Sequence, residues 1–340
     1  MRVGVVGGGA WGTALASHMA RLDHDVAMWA HETEVVSDIA VRRENATYLP
    51  GVKLPPSLRA STDVVGVVAG ARLILLVPPS EHLRAVGSRV AVVLEPDAIV
   101  VVATKGIEET THALMTEVLA RAMPRVEPAR LAVLSGPSFA REVASGLPTD
   151  VVVASRDPST VQAVQAALHS PVFRVYASAD PVGVQVGGAV KNVIAVAAGV
   201  CDGLSLGLNA RAALTTRGLA EMSRLGVALG ADPLTFLGLA GVGDLFLTCG
   251  GQLSRNRQLG LAIARGEDPG AYVTAHRSVA EGFRTSAAAW ELATQRGVDM
   301  PITEQVYEVL HRGRPVLDAI RALVTRAHKE ELLGIRHNRS

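Results

Sequence analysis

A glycine-rich turn near the N-terminus constrains the fold of this chain more than any other feature. A short apolar run at residues 3–6 leads directly into Gly7-Gly8-Gly9-Ala10-Trp11-Gly12. The spacing of Gly7, Gly9 and Gly12 suits a strand that turns tightly, exposes its backbone to a pyrophosphate and then starts a helix. A glycine turn with a purely structural role is the alternative. Its place between a strand and a helix favours dinucleotide binding.

The first half of the chain continues this pattern. Apolar segments rich in Val, Ile and Leu alternate with segments of helical spacing, which indicates a mostly parallel sheet covered by helices on both faces. We therefore predict an α/β, Rossmann-like domain over residues 1–180. The predicted strands are residues 3–6, 26–29, 73–77, 99–103, 131–134, 151–154 and 172–176.

The pattern changes at Asp180-Pro181, where Asp180 can cap a helix that holds Pro181 in its first turn. No convincing strand follows. Helical segments are predicted at about 182–200, 210–230, 255–265, 279–296 and 303–312. We predict an all-α C-terminal domain over residues 181–340.

Composition excludes several classes of protein. Hydrophobic residues make up 49% of the chain and charged residues 19%, which is typical of a globular protein. The formal net charge of +1 argues against nucleic-acid binding and against a membrane-surface protein. Two cysteines cannot build a disulfide framework or a cysteine-rich zinc site, so we expect a cytoplasmic protein without a metal.

Two segments bear on membrane targeting. The N-terminus lacks the long apolar stretch of a secretory signal. Residues 182–200 are mostly apolar but include Gln185, Lys191 and Asn192, so we expect a buried helix and no membrane span.

The end of the second predicted strand bears on the choice between NAD and NADP. His31 occupies the position where NAD-selective folds usually carry an acid, and Glu32 follows it. His31 could donate to a 2′-phosphate, whereas Glu32 could accept from a 2′-hydroxyl. Both side chains could equally be solvated at the start of a helix. We expect activity with both cofactors and a slight preference for NADP.

Two later strand ends carry polar side chains to the edge where parallel sheets bind ligands. Lys105 follows the strand at 99–103 and could contact a substrate oxygen, although a solvated loop lysine is the alternative. Gly136 and Ser138 follow the strand at 131–134 and would offer a close backbone approach and a hydroxyl. A plain capped helix would explain that segment equally well.

Lys191 is unusual because it lies in a helix that is apolar on nearly every side. Only four of the 33 basic residues are lysines, so a lysine inside such a motif invites attention. Burial lowers the pKa of a lysine, which suits proton transfer. A lysine that extends along the helix surface to reach water is the alternative.

A further polar group follows in the helical half. The glycines of Gly241-Val242-Gly243-Asp244 predict a tight loop that presents Asp244. Ser254 predicts a helix N-cap, which would place Arg255 and Asn256 in the first turn as a phosphate receptor. An ordinary capped helix with solvated arginines is the alternative.

These motifs together identify a resemblance. The chain resembles the NAD(P)-dependent glycerol-3-phosphate dehydrogenases of the bacterial type, in order and over nearly its whole length. The resemblance implies a Rossmann-like domain, a helical substrate domain and reduction of dihydroxyacetone phosphate to sn-glycerol 3-phosphate for phospholipid biosynthesis. The matching stretches are residues 7–16, 103–106, 134–140, 184–195, 209–226, 238–249, 254–257 and 300–310.

The resemblance also implies roles for individual residues. Lys191 matches the catalytic proton donor and acceptor. Substrate contacts are implied for Lys105, Gly136, Ser138, Lys191, Asp244, Ser254, Arg255 and Asn256. Besides the three motif glycines, cofactor contacts are implied for Trp11, His31, Tyr48, Lys105, Ala140, Arg255, Val279 and Glu281.

Two alternatives and one departure remain at this point. A hydroxyacid or ketopantoate reductase would bind a carboxylate and would not need a phosphate receptor like that of Ser254–Arg257. A non-catalytic dinucleotide sensor would not need Lys191. Many relatives carry Arg where this chain reads Ala30-His31-Glu32, which puts the NADP preference in doubt. A homodimer is among the assemblies that the sequence allows, and nothing in it determines the oligomeric state.

Overall fold

The computed structural model describes residues 1–276, 280–327 and 330. They divide into two compact units, one formed by Met1–Thr104 and Met115–Pro181, the other by Lys105–Leu114 and the chain from Val182 onward. The boundary expected at 180/181 placed Lys105–Leu114 in the first domain, whereas the structure places this segment in the second unit. The reason is packing, because Ile107 and Leu114 are buried in the apolar core of the second unit.

The first unit is built on an eight-stranded sheet with the order β3-β2-β1-β4-β5-β6-β7-β8. Neighbouring strands are parallel except β6 and β7. This confirms the predicted α/β fold and its seven strands. The strands are β1 (Arg2–Val6), β2 (Asp25–Trp29), β3 (Arg59–Ser61), β4 (Leu73–Leu76), β5 (Ile99–Val102), β6 (Leu131–Ser135), β7 (Thr149–Ala154) and β8 (Phe173–Ser178).

The strand missed by sequence analysis is β3, because it is three residues long and has no apolar run. It pairs only with β2, at the edge of the sheet. The order of the strands reverses between β1 and β4, and ligands bind at such a switch point in open α/β sheets. The helices of this unit are α1 (Ala10–Arg21), α2 (Thr33–Arg42), α3 (Val64–Val68), α4 (Leu83–Val90), α5 (Met115–Ala122), α6 (Ala140–Ala144) and α7 (Pro158–Leu168), with 3₁₀ turns at Ser80–His82 and Pro128–Arg130.

The described residues of the second unit form helices joined by loops and no strand, with one isolated bridge between Ile107 and Leu114. This confirms the predicted all-α domain. A 3₁₀ turn (Pro233–Leu237) and a π-helical segment (Leu239–Gly243) precede its short helix α10. The helices are α8 (Pro181–Gly203), α9 (Leu208–Ala228), α10 (Asp244–Gly250), α11 (Arg255–Ala264), α12 (Pro269–Ala275), α13 (Glu281–Gln295), α14 (Pro301–Arg312) and α15 (Val316–Val324).

The central helix of this unit is α8, whose apolar side chains from Val186 to Ala198 form much of the core. Among the described residues it is the one helix long and apolar enough to cross a membrane, and 89% of its most apolar window is buried inside the protein. Core helices of globular proteins have the same length and composition. Two glycines let α11 pack closely on α8. A Cβ at Gly199 would lie 2.1 Å from the carbonyl oxygen of Arg257, and one at Gly260 would lie 2.0 Å from that of Val196.

Candidate active site

The turn after β1 requires glycine at two of its three motif positions. Gly7 has a φ of +135°, and a Cβ on it would lie 2.7 Å from the carbonyl group of Val77. A Cβ on Gly12 would lie 1.9 Å from the carbonyl oxygen of Gly7. The turn is therefore too tight for any side chain at these two positions, in agreement with the sequence prediction.

The same turn leaves hydrogen-bond donors for an anion. Gly9 is the N-cap of α1, it provides no side-chain cap, and no described atom lies within 4 Å of the position of a Cβ on it. The first N–H groups of a helix have no partners inside the helix. The indole Nε1 of Trp11 is buried and has no hydrogen-bond partner among the described residues. Open space beside unpaired donors fits a dinucleotide pyrophosphate.

The residues beyond β2 form a hydrogen-bonded network. His31 is exposed, whereas Glu32 is half-buried and accepts a hydrogen bond from the hydroxyl of Tyr48 (2.8 Å). The backbone N–H of Tyr48 donates to Oδ1 of Asn45 (3.1 Å), and Nδ2 of Asn45 donates to the carbonyl oxygen of Gly8 (2.8 Å). Asn45 is fully buried. Sequence analysis missed it, since a single asparagine outside any apolar run gives no signal of burial.

At the end of β6 the backbone makes another glycine-dependent turn. Gly136 has a φ of +131°, and a Cβ on it would lie 3.0 Å from Cα of Val151. The hydroxyl of Ser138 donates to the carbonyl oxygen of Gly136 (2.9 Å). The expected helix begins only at Ala140, two residues after Ser138, so Ser138 stabilises the turn and lies outside the helix.

In the second unit, three predicted site residues form one cluster. The ammonium group of Lys191 on α8 donates to Oδ1 of Asp244 (2.5 Å), and that of Lys105 donates to Oδ2 of the same carboxylate (2.6 Å). Lys191 is 6% exposed and Asp244 is 1% exposed. Lys105 is therefore not a solvated loop lysine, and Lys191 does not extend to water.

The cluster brings the pKa of Lys191 into the physiological range. Burial lowers the pKa of Lys191 to about 7, against the opposing effect of Asp244, and Lys105 lowers it further. Burial alone would raise the pKa of Asp244, but Lys105 and Lys191 hold it below its usual range. A lysine with a pKa near neutrality can both donate and accept a proton at physiological pH.

Thr248 completes the cluster, and sequence analysis missed it. Its hydroxyl oxygen accepts from Lys191 (2.8 Å), while the hydroxyl donates to the carbonyl oxygen of Asp244 (2.6 Å). The two residues are four apart on α10, so they share a helix face. That spacing was visible in the sequence, but the helix was not predicted.

The sequence predicted that a tight loop presents Asp244, and this prediction was wrong. Asp244 is instead the first residue of α10 and follows a π-helical segment. Gly241 interrupts that segment with φ −96° and ψ −106°. A Cβ on Gly241 would lie 2.1 Å from the carbonyl oxygen of Phe236. The glycine thus permits a close backbone packing that sets the start of α10.

The N-terminus of α11 matches the predicted cap. Ser254 is the N-cap, and its hydroxyl accepts from the backbone N–H of Arg257 (3.2 Å). The guanidinium of Arg257 forms an ion pair with Asp202 (2.7 Å), which removes it from the predicted group of phosphate ligands. Arg255 at the first helical position is exposed.

Asn256 is buried, and its amide already has protein partners. Its Nδ2 donates to Oδ1 of Asn192 (2.9 Å), and its Oδ1 accepts from the backbone N–H of Gly282 (2.8 Å). One N–H of this amide group can still serve a ligand. Gly282 follows Glu281, the first residue of α13. Val279, the other cofactor residue expected here, lies outside the described residues.

Metal binding has no visible site in the part of the chain that the structure describes. No three His, Cys, Asp or Glu side chains come together there as metal ligands would. Cys249 is buried beside the lysine cluster, and burial raises the pKa of its thiol to about 12, so it is not a thiolate nucleophile at neutral pH.

Comparison with known proteins gives a consistent result. Two family models, the N-terminus and the C-terminus of NAD-dependent glycerol-3-phosphate dehydrogenase, match residues 2–161 and 180–321. The glycerol-3-phosphate dehydrogenase (NAD(P)+) of Geobacter sulfurreducens is 49% identical over 330 residues, covering 97% of this chain and 98% of that protein. The crystal structure of glycerol-3-phosphate dehydrogenase from Coxiella burnetii is similar, with a TM-score of 0.91 at 38% identity, covering 95% of this chain and 98% of that one.

Proposed function

This chain belongs to the NAD-dependent glycerol-3-phosphate dehydrogenase family, and from that premise we propose how its residues reduce dihydroxyacetone phosphate to sn-glycerol 3-phosphate with NAD(P)H. The reaction is reversible, and the roles of individual residues are our proposal. Membership of this family argues against the two alternatives, a carboxylate-specific reductase and a non-catalytic sensor.

The dinucleotide is bound by the turn after β1. The backbone at Gly7, Gly9 and Gly12 and the indole N–H of Trp11 contact its phosphates, while His31 and Tyr48 lie on the adenosine side. Ala140, Lys105, Arg255, Val279 and Glu281 complete the expected contacts. When bound, the nicotinamide supplies the hydride in reduction and accepts it in oxidation.

Lys191 carries the proton. In reduction its ammonium donates a proton to the carbonyl oxygen of the substrate as negative charge develops there, and in oxidation the neutral amine removes the hydroxyl proton. Asp244 and Thr248 fix the position of Nζ, and Asp244 keeps the ammonium sufficiently stable to be present near neutral pH. Lys105 binds a substrate oxygen beside it.

The substrate phosphate is bound at the start of α11. Unpaired backbone N–H groups, the guanidinium of Arg255, the remaining amide proton of Asn256 and the hydroxyl of Ser254 are donors of the type that phosphate prefers. The helix dipole adds a favourable field. Gly136 and Ser138 provide the further substrate contacts expected from the sequence.

The observation that carries this proposal is the buried Lys191–Asp244–Lys105 cluster, with its one acid–base group of pKa about 7. The test is oxidation of NADH or NADPH with dihydroxyacetone phosphate as the acceptor. Turnover should require the phosphate, so dihydroxyacetone should be a poor substrate. Equal turnover of a 2-keto acid and dihydroxyacetone phosphate would contradict the proposal.

We also propose a homodimer that acts in the cytoplasm, supplies phospholipid synthesis and does not bind nucleic acid. The dimer is supported by an apolar cavity of about 900 Å³ in the second unit, between α8, α9, α14 and α15. Exposed apolar side chains lie on the same elements, namely Leu208, Leu317 and Val324. Apolar patches of this kind mark protein interfaces. Light scattering of the purified protein tests the dimer, and a Leu317→Glu variant should shift it towards monomer.

A further inference from the structure

The carboxylate of Glu32 is held in a fixed position by Tyr48, through the 2.8 Å hydrogen bond to its Oε1. Glu32 lies three residues after the end of β2, as the N-cap of α2. In dinucleotide-binding folds this strand end meets the adenosine ribose. We propose that Tyr48 orients Glu32 to accept hydrogen bonds from the ribose hydroxyls, and that this pair makes the enzyme prefer NADH to NADPH. The proposal rests on the proposed function, since it concerns the same dinucleotide site.

Asn45 connects this pair to the glycine turn. Its side chain donates to the carbonyl oxygen of Gly8 and to the hydroxyl of Thr13, each at 2.8 Å, and accepts from the backbone N–H of Tyr48. Asn45 is fully buried, so these bonds are shielded from water. The backbone of Tyr48 is therefore fixed relative to the glycine turn, and its phenol reaches from there to the carboxylate of Glu32.

The consequence for selectivity follows from charge. Tyr48 occupies one carboxylate oxygen of Glu32, and the other oxygen can accept from a ribose hydroxyl. A 2′-phosphate at that place has no proton to donate when ionised and brings one to two further negative charges. Like charges about 5 Å apart near a protein surface repel enough to weaken binding on the order of 10- to 100-fold.

Two cationic side chains near the end of β2 would favour NADPH, so their effect has to be compared with that of Glu32. His31 is exposed, and the guanidinium of Arg89, also exposed, lies 5.7 Å from the ring centroid of Trp29. Both could attract a 2′-phosphate, and His31 is the reason why the sequence alone favoured NADP slightly. Water and salt screen exposed charges. Glu32 is half-buried and hydrogen-bonded, so its charge has the larger effect on a ligand beside it.

The test measures binding of NADH and NADPH to the full-length enzyme without substrate, through the fluorescence of the bound nicotinamide. The wild type should bind NADH about 10-fold or more tightly than NADPH. Glu32→Gln keeps an acceptor for Tyr48 but removes the charge, so NADPH should bind at least about 10-fold more tightly than to the wild type. Tyr48→Phe removes only the hydroxyl, so NADH should bind roughly 2- to 10-fold more weakly while NADPH changes little.

Glu34→Gln is the matched control, because it removes the same charge from the first turn of α2 at an exposed position. It should leave the ratio of the two dissociation constants unchanged. A wild type that prefers NADPH, or a Glu32→Gln variant with the wild-type ratio, would overturn the proposal. Absence of binding of either dinucleotide would instead refute the proposed function, so the two failures are distinguishable.

Discussion

Lys191 and Lys105 share a single carboxylate, and this unequal pairing has a chemical use. Two ammonium groups and one carboxylate leave a net charge of about +1 when both lysines are protonated, at a place where one lysine and the carboxylate are buried. Such a site favours an anionic substrate and stabilises negative charge that develops on its carbonyl oxygen. Burial, with a smaller contribution from Lys105, lowers the pKa of Lys191 enough for it to release its proton.

Removing the ammonium should abolish proton transfer but not dinucleotide binding. Lys191→Met should lower kcat by about 10²- to 10⁴-fold, the usual range for a positioned acid–base group. NADH binding, measured directly, should be unchanged, because the glycine turn lies in the other unit. Lys53→Met is the control, since Lys53 is an exposed lysine on the first unit. Near-normal turnover of Lys191→Met would show that another group carries the proton.

The pH dependence of the rate follows from the pKa of Lys191. Reduction needs the protonated lysine, so kcat for reduction should fall as the pH rises through about 7, and kcat for oxidation should rise over the same range. Asp244 stabilises the ammonium, so Asp244→Asn should lower the pKa of Lys191 and move the fall in reduction to lower pH.

The profile of kcat against pH between about 5.5 and 9 checks this for both directions. Thr248→Val is the companion variant, because it removes an uncharged acceptor from Lys191. It should lower the rate with a smaller displacement of the profile than Asp244→Asn. A displacement of the Asp244→Asn profile to higher pH is incompatible with this arrangement.

At the scale of secondary-structure elements, two arginines in the first turn of α11 have different environments although only Asn256 separates them in the sequence. Arg255 is exposed at the helix N-terminus, whereas Arg257 forms an ion pair with Asp202. Arg255→Ala should therefore weaken dihydroxyacetone phosphate binding by about 10- to 150-fold, as expected for loss of a charge-assisted hydrogen bond. Arg255→Lys should recover only part of the loss, because an ammonium cannot bind phosphate as a fork.

KM and kcat measured with dihydroxyacetone phosphate and with dihydroxyacetone check this role. The mutation should matter little for the ketone without phosphate. Arg257→Ala provides the contrast, with a lower melting temperature and a smaller change in KM. Since a cofactor contact is also expected for Arg255, NADH affinity is measured in parallel. Equal harm to both ketones would assign Arg255 to the cofactor or to the structure.

The sequence predicted elements with long periodic patterns and missed elements that depend on packing. The apolar strands and the long helices such as α8 were recognisable because their composition alone determines burial. The short β3, the helix α10 and the side chain of Asn45 were not, because each depends on a neighbour distant in sequence. Lys191 and Asp244 could be selected individually, but only the fold shows that they share a hydrogen bond with Lys105 close by.

At the scale of the whole molecule, the chain leaves the first unit at Lys105, returns at Met115 and leaves again after Pro181. This excursion, the segment Lys105–Leu114, places Lys105 in the unit that holds Lys191. Its apolar side chains Ile107 and Leu114 are 1% and 4% exposed in the helical core, so they hold the segment there.

The excursion makes the stability of the helical unit depend on residues from the first half of the chain. Ile107→Ala should destabilise that unit by about 2–5 kcal/mol. Hydrogen–deuterium exchange should show faster exchange in α8 than in the wild type, with little change in β1 and β4. Leu75→Ala removes a fully buried side chain of the sheet. It should speed exchange in β1 and β4 and leave exchange in α8 nearly unchanged. Faster exchange in the sheet but not in α8 after Ile107→Ala would contradict this assignment.

The excursion also matters while the chain is being synthesised. Residues 105–114 emerge from the ribosome before any of the chain from Val182 onward with which they pack. At about 5–20 residues per second, the roughly 70 residues that separate Leu114 from α8 take on the order of 3–14 s to add. During that interval Ile107 and Leu114 lack the apolar partners that bury them in the finished protein.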